Sequence, residues 1–361
     1  MLRVVVHTPD VVGERMAGPG IRAWHFAGEL SKHFDVTLVA RREGKPPEAA
    51  PFDLVERGSA DAKRALHDAD VLLGQPARGF RRLRKTQRIV YDLFDPVLLE
   101  LREMYGRSPS LRQRVHLAAE KSRLKAALKD ADLLLVAAPN QKELYKREAL
   151  VIPFGAETPT KNHEPTTNNL IVWGGGVWEW LDPKTAVEAT LELNRAGVSC
   201  RLLFLGRTRP NRSMVDRRRE DRFDRLVASG QPFIEANDEW VPYRERLTWL
   251  HRAKIAIMLH RPTAEARYSI RTRLFDAIAA NVPVITTEEG FAAELVGAER
   301  LGVVVPPGDA DAVTEAMRRL LCDDAFHAQC VTNLARIRPR YAWDVVTQPL
   351  IDAIRRWKHE T

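Results

Sequence analysis

The sequence predicts an α/β protein built from two doubly wound parallel-sheet domains, and three observations carry that reading. Midway along the 361-residue chain, the apolar run Leu170-Ile171-Val172-Trp173 breaks into Gly174-Gly175-Gly176 and soon reaches the helix-start sequence Asp182-Pro183-Lys184-Thr185. A buried parallel strand, a glycine turn and a helix start in that order open a nucleotide-type α/β domain, because glycine lets backbone come close to a ligand at the turn. The N-terminus repeats the pattern: Arg3-Val4-Val5-Val6-His7 reads as a strand, and Gly18-Pro19-Gly20-Ile21-Arg22 precedes a helix-period stretch through Trp24, Phe26, Ala27 and Leu30. Thirdly, short apolar runs alternate with helix-period segments along the whole chain, the sequence sign of parallel sheets wound on both faces. Two such domains in series imply a cleft at the carboxyl ends of their strands, where open α/β sheets bind ligands.

In order along the first domain, strands are expected at 2–7, 35–40, 52–56, 70–74, 88–93, 132–137 and 149–153, with helices at 20–33, 61–68, 96–105, 110–130 and 140–147. The stretch 157–169 is polar, carries two prolines and has no periodicity, so it reads as a linker between a domain of residues 1–156 and one of 170–341. The second domain is expected to have strands near 170–173, 200–205, 232–235, 255–259, 283–286 and 303–305. Its helices fall near 184–196, 214–228, 243–252, 271–280, 291–296 and 309–321. A last helix over 342–358 gathers Trp343, Val346, Leu350, Ile354 and Trp357 on one face, which would let it pack back on the first domain.

Composition sets the limits. A chain of this length with 45% apolar residues can bury two ordinary cores. No run of 18 apolar residues and no usual signal peptide is found, so a cytoplasmic protein is expected. Cys200, Cys322 and Cys330 are dispersed and lack zinc-knuckle spacing, and no His/Glu or Cys/His cluster has metal-ligand spacing, so neither a metal nor a resident cofactor is expected. The net charge of +8 suits a phosphate-bearing partner or an anionic membrane surface. The basic excess lies in Arg78–Lys85, in Arg102–Lys129 and in the mixed-sign run Arg207–Arg225, without interleaved aromatics or a finger, helix-turn-helix or RNP pattern, which argues against nucleic acid.

The Gly-Pro-Gly at 18–20, the segments "VPYRERLTWLHRAKIAIML", "IRTRLFDAIAANVPVITTEEGFAAELV" and "GVVVPPGDADAV", and the closing "YAWDVV" together resemble a family 4 glycosyltransferase of GT-B architecture over nearly the whole chain. The glycine turn, the strand end Asp92-Leu93-Phe94-Asp95-Pro96 and the "SIRTRLFD" helix start are similar to bacterial members with WGGG and DLYDP motifs, associated with surface polysaccharides or secondary glycosides. The resemblance implies a retaining enzyme that needs no metal and moves a sugar from a nucleotide-sugar donor to a hydroxyl acceptor. It also implies that the second domain holds the donor and the first the acceptor.

A diphosphate leaving group gains negative charge as the glycosidic bond breaks, so the donor site needs groups whose hydrogen bonds strengthen in the transition state. Ser269, Arg271, Thr272 and Arg273 fall where a helix would start, placing free backbone N–H groups and guanidiniums together, and they are the diphosphate candidates. Gly18 and Gly20, with Arg22 nearby, would offer backbone N–H groups from the first domain. Gly175 and Gly176 occupy the turn where many relatives carry an arginine, and Lys184 stands for the lysine those relatives place against phosphate. Trp178 or Trp180 could stack on base or sugar, while Asp182-Pro183 reads as a helix cap.

Asp276 lies where the family has a glutamate for the donor ribose. The partner glutamate eight residues earlier is Tyr268 here, and Glu265 is the candidate to replace it. On the acceptor side Asp92 and Asp95 are the candidates for orienting or deprotonating the hydroxyl, with Glu100 behind them and His7 and His260 at other strand ends. Gly290-Phe291, after Glu288-Glu289, could lay backbone along the donor. The alternatives within this reading are a GT-B nucleotide-sugar epimerase, or a catalytically inactive nucleotide-sugar-binding partner subunit. A phosphorylase would need a pyridoxal lysine or a tight inorganic phosphate site, and the sequence carries a signature for neither. The basic first domain would also suit a lipid-linked acceptor met peripherally at the inner membrane face.

Overall fold

A computed structural model describes residues 1–157, 169–206 and 217–357. The linker expected over 157–169 and the first part of the helix expected over 214–228 fall largely outside the described residues. The chain divides into two compact units. The first comprises Met1–Gly155, the short stretch Tyr268–Ile270 and the C-terminal segment from Trp343; the second comprises Ala156–Arg267 and Arg271–Ala342.

The first unit holds β1 (Arg3–Gly13), α1 (Gly18–Ser31), β2 (Asp35–Glu43), β3 (Asp53–Glu56), α2 (Ala60–Asp68), β4 (Val71–Gly74), β5 (Arg88–Asp92), α3 (Val97–Tyr105), α4 (Leu111–Asp130), β6 (Leu133–Val136), α5 (Gln141–Tyr145) and β7 (Leu150–Val151). Its seven strands run parallel in the order β3-β2-β1-β4-β5-β6-β7, with His7 opposite Gly74 in the central pair. Strands covered on both faces must be apolar throughout rather than alternating, which is why Val4-Val5-Val6 and Val71-Leu72-Leu73 read as unbroken runs and are all buried. Val5, Leu72, Ile89, Leu134 and Val136 lie in one core cluster with Phe80 and Tyr91. β1 runs beyond the expected 2–7, with a register irregularity between His7 and Val11.

The second unit holds β8 (Leu170–Trp173), α6 (Pro183–Arg195), β9 (Arg201–Phe204), α7 (Arg217–Ser229), β10 (Ile234–Ala236), α8 (Arg246–His251), β11 (Ile255–Met258), α9 (Ala264–Tyr268), α10 (Thr272–Ala280), β12 (Val284–Thr287), α11 (Gly290–Glu299), β13 (Gly302–Val305), α12 (Ala310–Cys322) and α13 (Asp324–Ile337). Its six strands are also parallel, ordered β10-β9-β8-β11-β12-β13. The strand order therefore reverses at β1/β4 in one sheet and at β8/β11 in the other, the two places where crossovers leave the sheet in opposite directions and open a crevice at the strand ends.

Local chemistry explains the helix ends. Asp182 caps α6 by accepting from the Thr185 backbone N–H at 3.3 Å, with Pro183 in the first turn. Ser110 and Gln113 form a reciprocal capping box on α4. The sequence reading gave no helix over 324–337. Asp323 explains why: it ends α12 and at the same time caps α13 by accepting from the Phe326 N–H at 2.9 Å, so two helices abut without a loop signal between them. α3 starts one residue after the expected 96, with Pro96 at the cap position and no side-chain cap bond from it.

The last helix, α14 (Trp343–Trp357), packs on α1 within the first unit. Trp343 stacks on His25 at 4.4 Å, meets Phe154 edge-on, and leaves room only for glycine at 155, where a Cβ would stand 2.2 Å from the indole. That contact, with Val346, Leu350 and Ile354 buried, uses the apolar face visible in the sequence.

Candidate active site

In the second unit the glycine turn after β8 and the end of β11 are neighbours through the pairing of Ile255 with Ile171 and Ala256 with Val172. The Trp178–Leu181 turn is pinned there: Leu181 bridges His260, and the N–H groups of Asp182 and Arg261 donate to the carbonyls of Leu259 and Trp180 at 3.0 and 2.8 Å. Trp178 and Trp180 stack on each other with ring centroids 5.5 Å apart, and Trp180 is buried.

Trp240 is the aromatic that lies over the glycine turn, and the sequence reading did not single it out. A Cβ at Gly176 would stand 2.8 Å from its ring, one at Gly206 3.2 Å, and Gly175 has φ +75°. The half-buried indole thus requires glycine at 176, and the turn geometry favours it at 175. The glycine run was itself the legible signal, since a row of missing side chains implies a bulky neighbour. Its position in a segment without periodicity hid the partner.

Beside the turn, α10 begins with Arg271 at its cap position and no side chain capping its free N–H groups. Arg271 and Glu265 form a buried bidentate pair at 2.9 and 2.8 Å. Arg273 donates to the Gly176 carbonyl at 3.1 Å and its guanidinium lies 5.5 Å from the Trp173 ring centroid. Burial first, and then the charge of Arg271, pull the Arg273 pKa down to about 9. Nε of Arg271 and Nη1 of Arg273 are buried with no hydrogen-bond partner. His260 has both ring nitrogens in the same condition, and burial together with Arg271 lowers its pKa to about 3, so the imidazole is neutral. Unsatisfied buried donors are costly, and here they gather at a helix N-terminus and a sheet switch point, an arrangement suited to an anion.

The remaining donor-side candidates are placed differently. Asp276 accepts from Arg246 at 3.0 Å, and Arg246 also pairs with Glu157 at 2.9 Å, so the ribose candidate is one arm of a three-membered charged cluster. Its carboxyl pKa is raised by burial, against the pull of Arg246. Lys184 points to solvent, 73% exposed, and pairs with Glu188 on the surface of α6. Thr272 is the first residue of α10. Ser269 falls in the stretch that groups with the first unit, with its hydroxyl buried and lacking a partner. Gly290 approaches the Ala266 carbonyl so closely that a Cβ would stand 2.6 Å away, while Glu288 and Glu289 are exposed.

In the first unit Arg22 and Asp92 meet each other. Arg22 is 1% exposed, donates to both Asp92 oxygens at 2.7 and 3.1 Å and to the carbonyls of Pro153 and Ile152, and packs against Phe26 and Phe94. Both oxygens of Asp92 are thereby engaged in fastening α1 to β5. Gly20 is an inner residue of α1, where a Cβ would stand 2.1 Å from the Val11 carbonyl, so its glycine is needed for helix–strand contact; Gly18 opens the same helix. His7 stacks on Phe80 at 4.8 Å, and burial lowers its pKa to about 3. Asp92 and Asp95 both line a cavity of about 440 Å³ beyond the ends of β4 and β5. Among the described residues no group of three His, Cys, Asp or Glu is placed to hold a metal ion, and no helix is long and apolar enough to cross a membrane.

Residues 168–323 match the family of group 1 glycosyl transferases. No curated protein matches the sequence. Solved structures similar to the chain include sucrose-phosphate synthase from Thermosynechococcus elongatus, 16% identical with both chains covered in full and a TM-score of 0.71. Anabaena HepE in complex with UDP-glucose is 11% identical over 98% of this chain and 99% of that one, with a TM-score of 0.71. WaaG, a glycosyltransferase involved in lipopolysaccharide biosynthesis, is 15% identical over 97% and 99%, with a TM-score of 0.69. At these identities the likeness is one of fold, and it spans both sheets. Over residues 168–323 the chain is thus similar to group 1 glycosyl transferases, and over its whole length it has the two-sheet GT-B fold of these solved structures.

Proposed function

We propose that the chain transfers a sugar from a nucleotide-sugar donor to a hydroxyl acceptor, with retention of configuration and without a metal. The second unit holds the donor and the first the acceptor. The observation that carries the reading is the pair of buried guanidiniums at the start of α10 whose Arg271 Nε and Arg273 Nη1 lack partners. A diphosphate would supply the missing acceptors, offset the cost of keeping Arg273 charged, and gain from both guanidiniums as its charge grows during bond cleavage. That the fold of Anabaena HepE carries UDP-glucose supports the same assignment.

Within this proposal Glu265 positions Arg271 and offsets its charge, so that only one guanidinium of the pair is left uncompensated. Trp240 and the glycines beneath it form the platform for the base. Neutral His260 can donate one N–H and accept at the other nitrogen, which suits a sugar hydroxyl or phosphate oxygen better than proton transfer at neutral pH. Asp95 faces the acceptor, and Asp92 acts through Arg22 by holding the strand end that carries Asp95. The protein works at the cytoplasmic side, in peripheral contact with anionic membrane. Supporting that contact, Leu111 and Val115 of α4 are 77% and 63% exposed beside Arg112, Arg114, Lys121 and Lys125.

The test is thermal-shift titration with UDP, GDP, ADP and their glucose conjugates in EDTA, followed by turnover with an acceptor panel and assignment of the product anomer by NMR. Anionic vesicles are sedimented in parallel for the membrane arm. A nucleotide-dependent rise in melting temperature that survives EDTA, and a product retaining the donor anomer, are expected. Conversion of the donor without acceptor would indicate an epimerase, and binding without turnover a partner subunit. No shift with any nucleotide would refute the donor site itself.

A further inference from the structure

The cavity of about 440 Å³ in the first unit joins two kinds of lining that do not ordinarily sit together: the apolar side chains Val97, Leu98 and Leu124, and the guanidiniums of Arg57, Arg78 and Arg102. Its size is that of a small-molecule site. Val97, the first residue of α3, is 41% exposed although it is apolar, and it stands at this lining. The charges there are unevenly compensated. Asp92 is held by Arg22 from within the fold, and Glu120 by Arg123. Among the described residues Arg57, Arg78 and Arg102 have no ion-pair partner. Three guanidiniums without an ion-pair partner therefore share this lining with Asp95.

We propose that this cavity selects an acceptor that is an anionic amphiphile, a phosphate monoester joined to an apolar body. The phosphate engages the forks of Arg57, Arg78 and Arg102, and the apolar part lies against Val97, Leu98 and Leu124. Guanidiniums bind phosphate through paired, charge-assisted hydrogen bonds, and each buried methylene adds to the apolar term, so the two parts of one ligand satisfy the two parts of the lining. Asp95 shares the lining and would lie beside the group that carries the reacting hydroxyl. The inference rests on the first unit being the acceptor unit, and it adds the chemical class of that acceptor. A lipid-linked acceptor and a soluble phosphorylated compound share the phosphate, and the apolar requirement separates them.

The test uses the whole chain and calorimetric titration with n-octyl phosphate below its micelle concentration, beside n-butyl phosphate, n-octanol and glucose 6-phosphate. Octyl phosphate is expected to bind at least about tenfold more tightly than octanol and than butyl phosphate, and the affinity should fall with added salt. Arg78→Gln and Arg102→Gln lie on exposed positions, and each should weaken octyl phosphate about tenfold while leaving the thermal shift by UDP unchanged. Equal binding of octanol and octyl phosphate, or unchanged affinity in both variants, overturns the anionic part. Glucose 6-phosphate binding as tightly as octyl phosphate overturns the amphiphile and points to a soluble sugar phosphate. A chain that still responds to UDP but not to octyl phosphate refutes this inference alone, whereas loss of the UDP response refutes the donor reading.

Discussion

Replacing Arg273 by methionine should stabilise the ligand-free protein and cripple donor binding, a combination that only a prebuilt anion site produces. The pKa of Arg273 is held at about 9 by burial and by Arg271, against an ordinary 12.5. At about 1.4 kcal/mol per unit, that depression corresponds to an upper bound of about 5 kcal/mol for keeping the cation in place at neutral pH. Against it stand the bond to the Gly176 carbonyl, about 1 kcal/mol, and the approach to the Trp173 ring, about 1 kcal/mol. Methionine fills much of the same volume without charge, so a net gain of about 2 kcal/mol is expected. For a unit of this size that is a melting temperature higher by roughly 4–8 °C. The bound diphosphate loses a charge-assisted partner, so UDP affinity should drop about 10- to 100-fold. Urea and thermal melts of the ligand-free protein, with calorimetric titration of UDP, measure both. A variant that melts lower than the parent and binds UDP equally well would show that Arg273 is a structural residue, and the argument from unpaired guanidinium atoms would fall.

Two further outcomes follow from the first unit and from buried histidines. Asp92→Ala should lower stability by about 3–5 kcal/mol because it strands the Arg22 guanidinium in the interior, whereas Asp95→Ala should cost less stability and reduce kcat; equal melts for the two would refute the separation of roles. His7 and His260, both with pKa lowered to about 3, stay neutral in the fold while the unfolded chain protonates them below about pH 6.5. Their contribution is complete above pH 6.5 and is lost as pH falls toward 3, at up to about 1.4 kcal/mol per pH unit for each ring. Asp10 and Asp276, raised by burial, act in the opposite sense. The quantity to measure is therefore the difference between the parent and His7→Phe in urea midpoints at pH 7.5 and 5.5, which should shrink at the lower pH; a constant difference would refute the buried neutral imidazole.

Strand runs, glycine turns and capping residues were legible in the sequence because each is decided within a few residues. Val71–Gly74 could only be a covered strand, and Asp182-Pro183 could only start a helix economically. The start of α10 was legible for the same reason. The pairings were not. That Glu265 holds Arg271, that Arg246 takes Asp276, and that Arg22 meets Asp92 seventy residues away depend on strand order and helix placement, which no local signal encodes. Lys184 shows the same limit from the other side, since its helical position was readable and its direction toward Glu188 and solvent was not.

By itself the sequence determined the α/β class, the succession of two parallel sheets and the places of the glycine turns and helix starts, because hydrophobic period, glycine conformation and helix capping are short-range properties. Tertiary structure alone decided which of the residues there keep an unsatisfied donor. Whether a buried charge is paired or left waiting for a ligand depends on what the fold brings within 3 Å of it, and at Arg273 the fold supplies one carbonyl oxygen and leaves a nitrogen open.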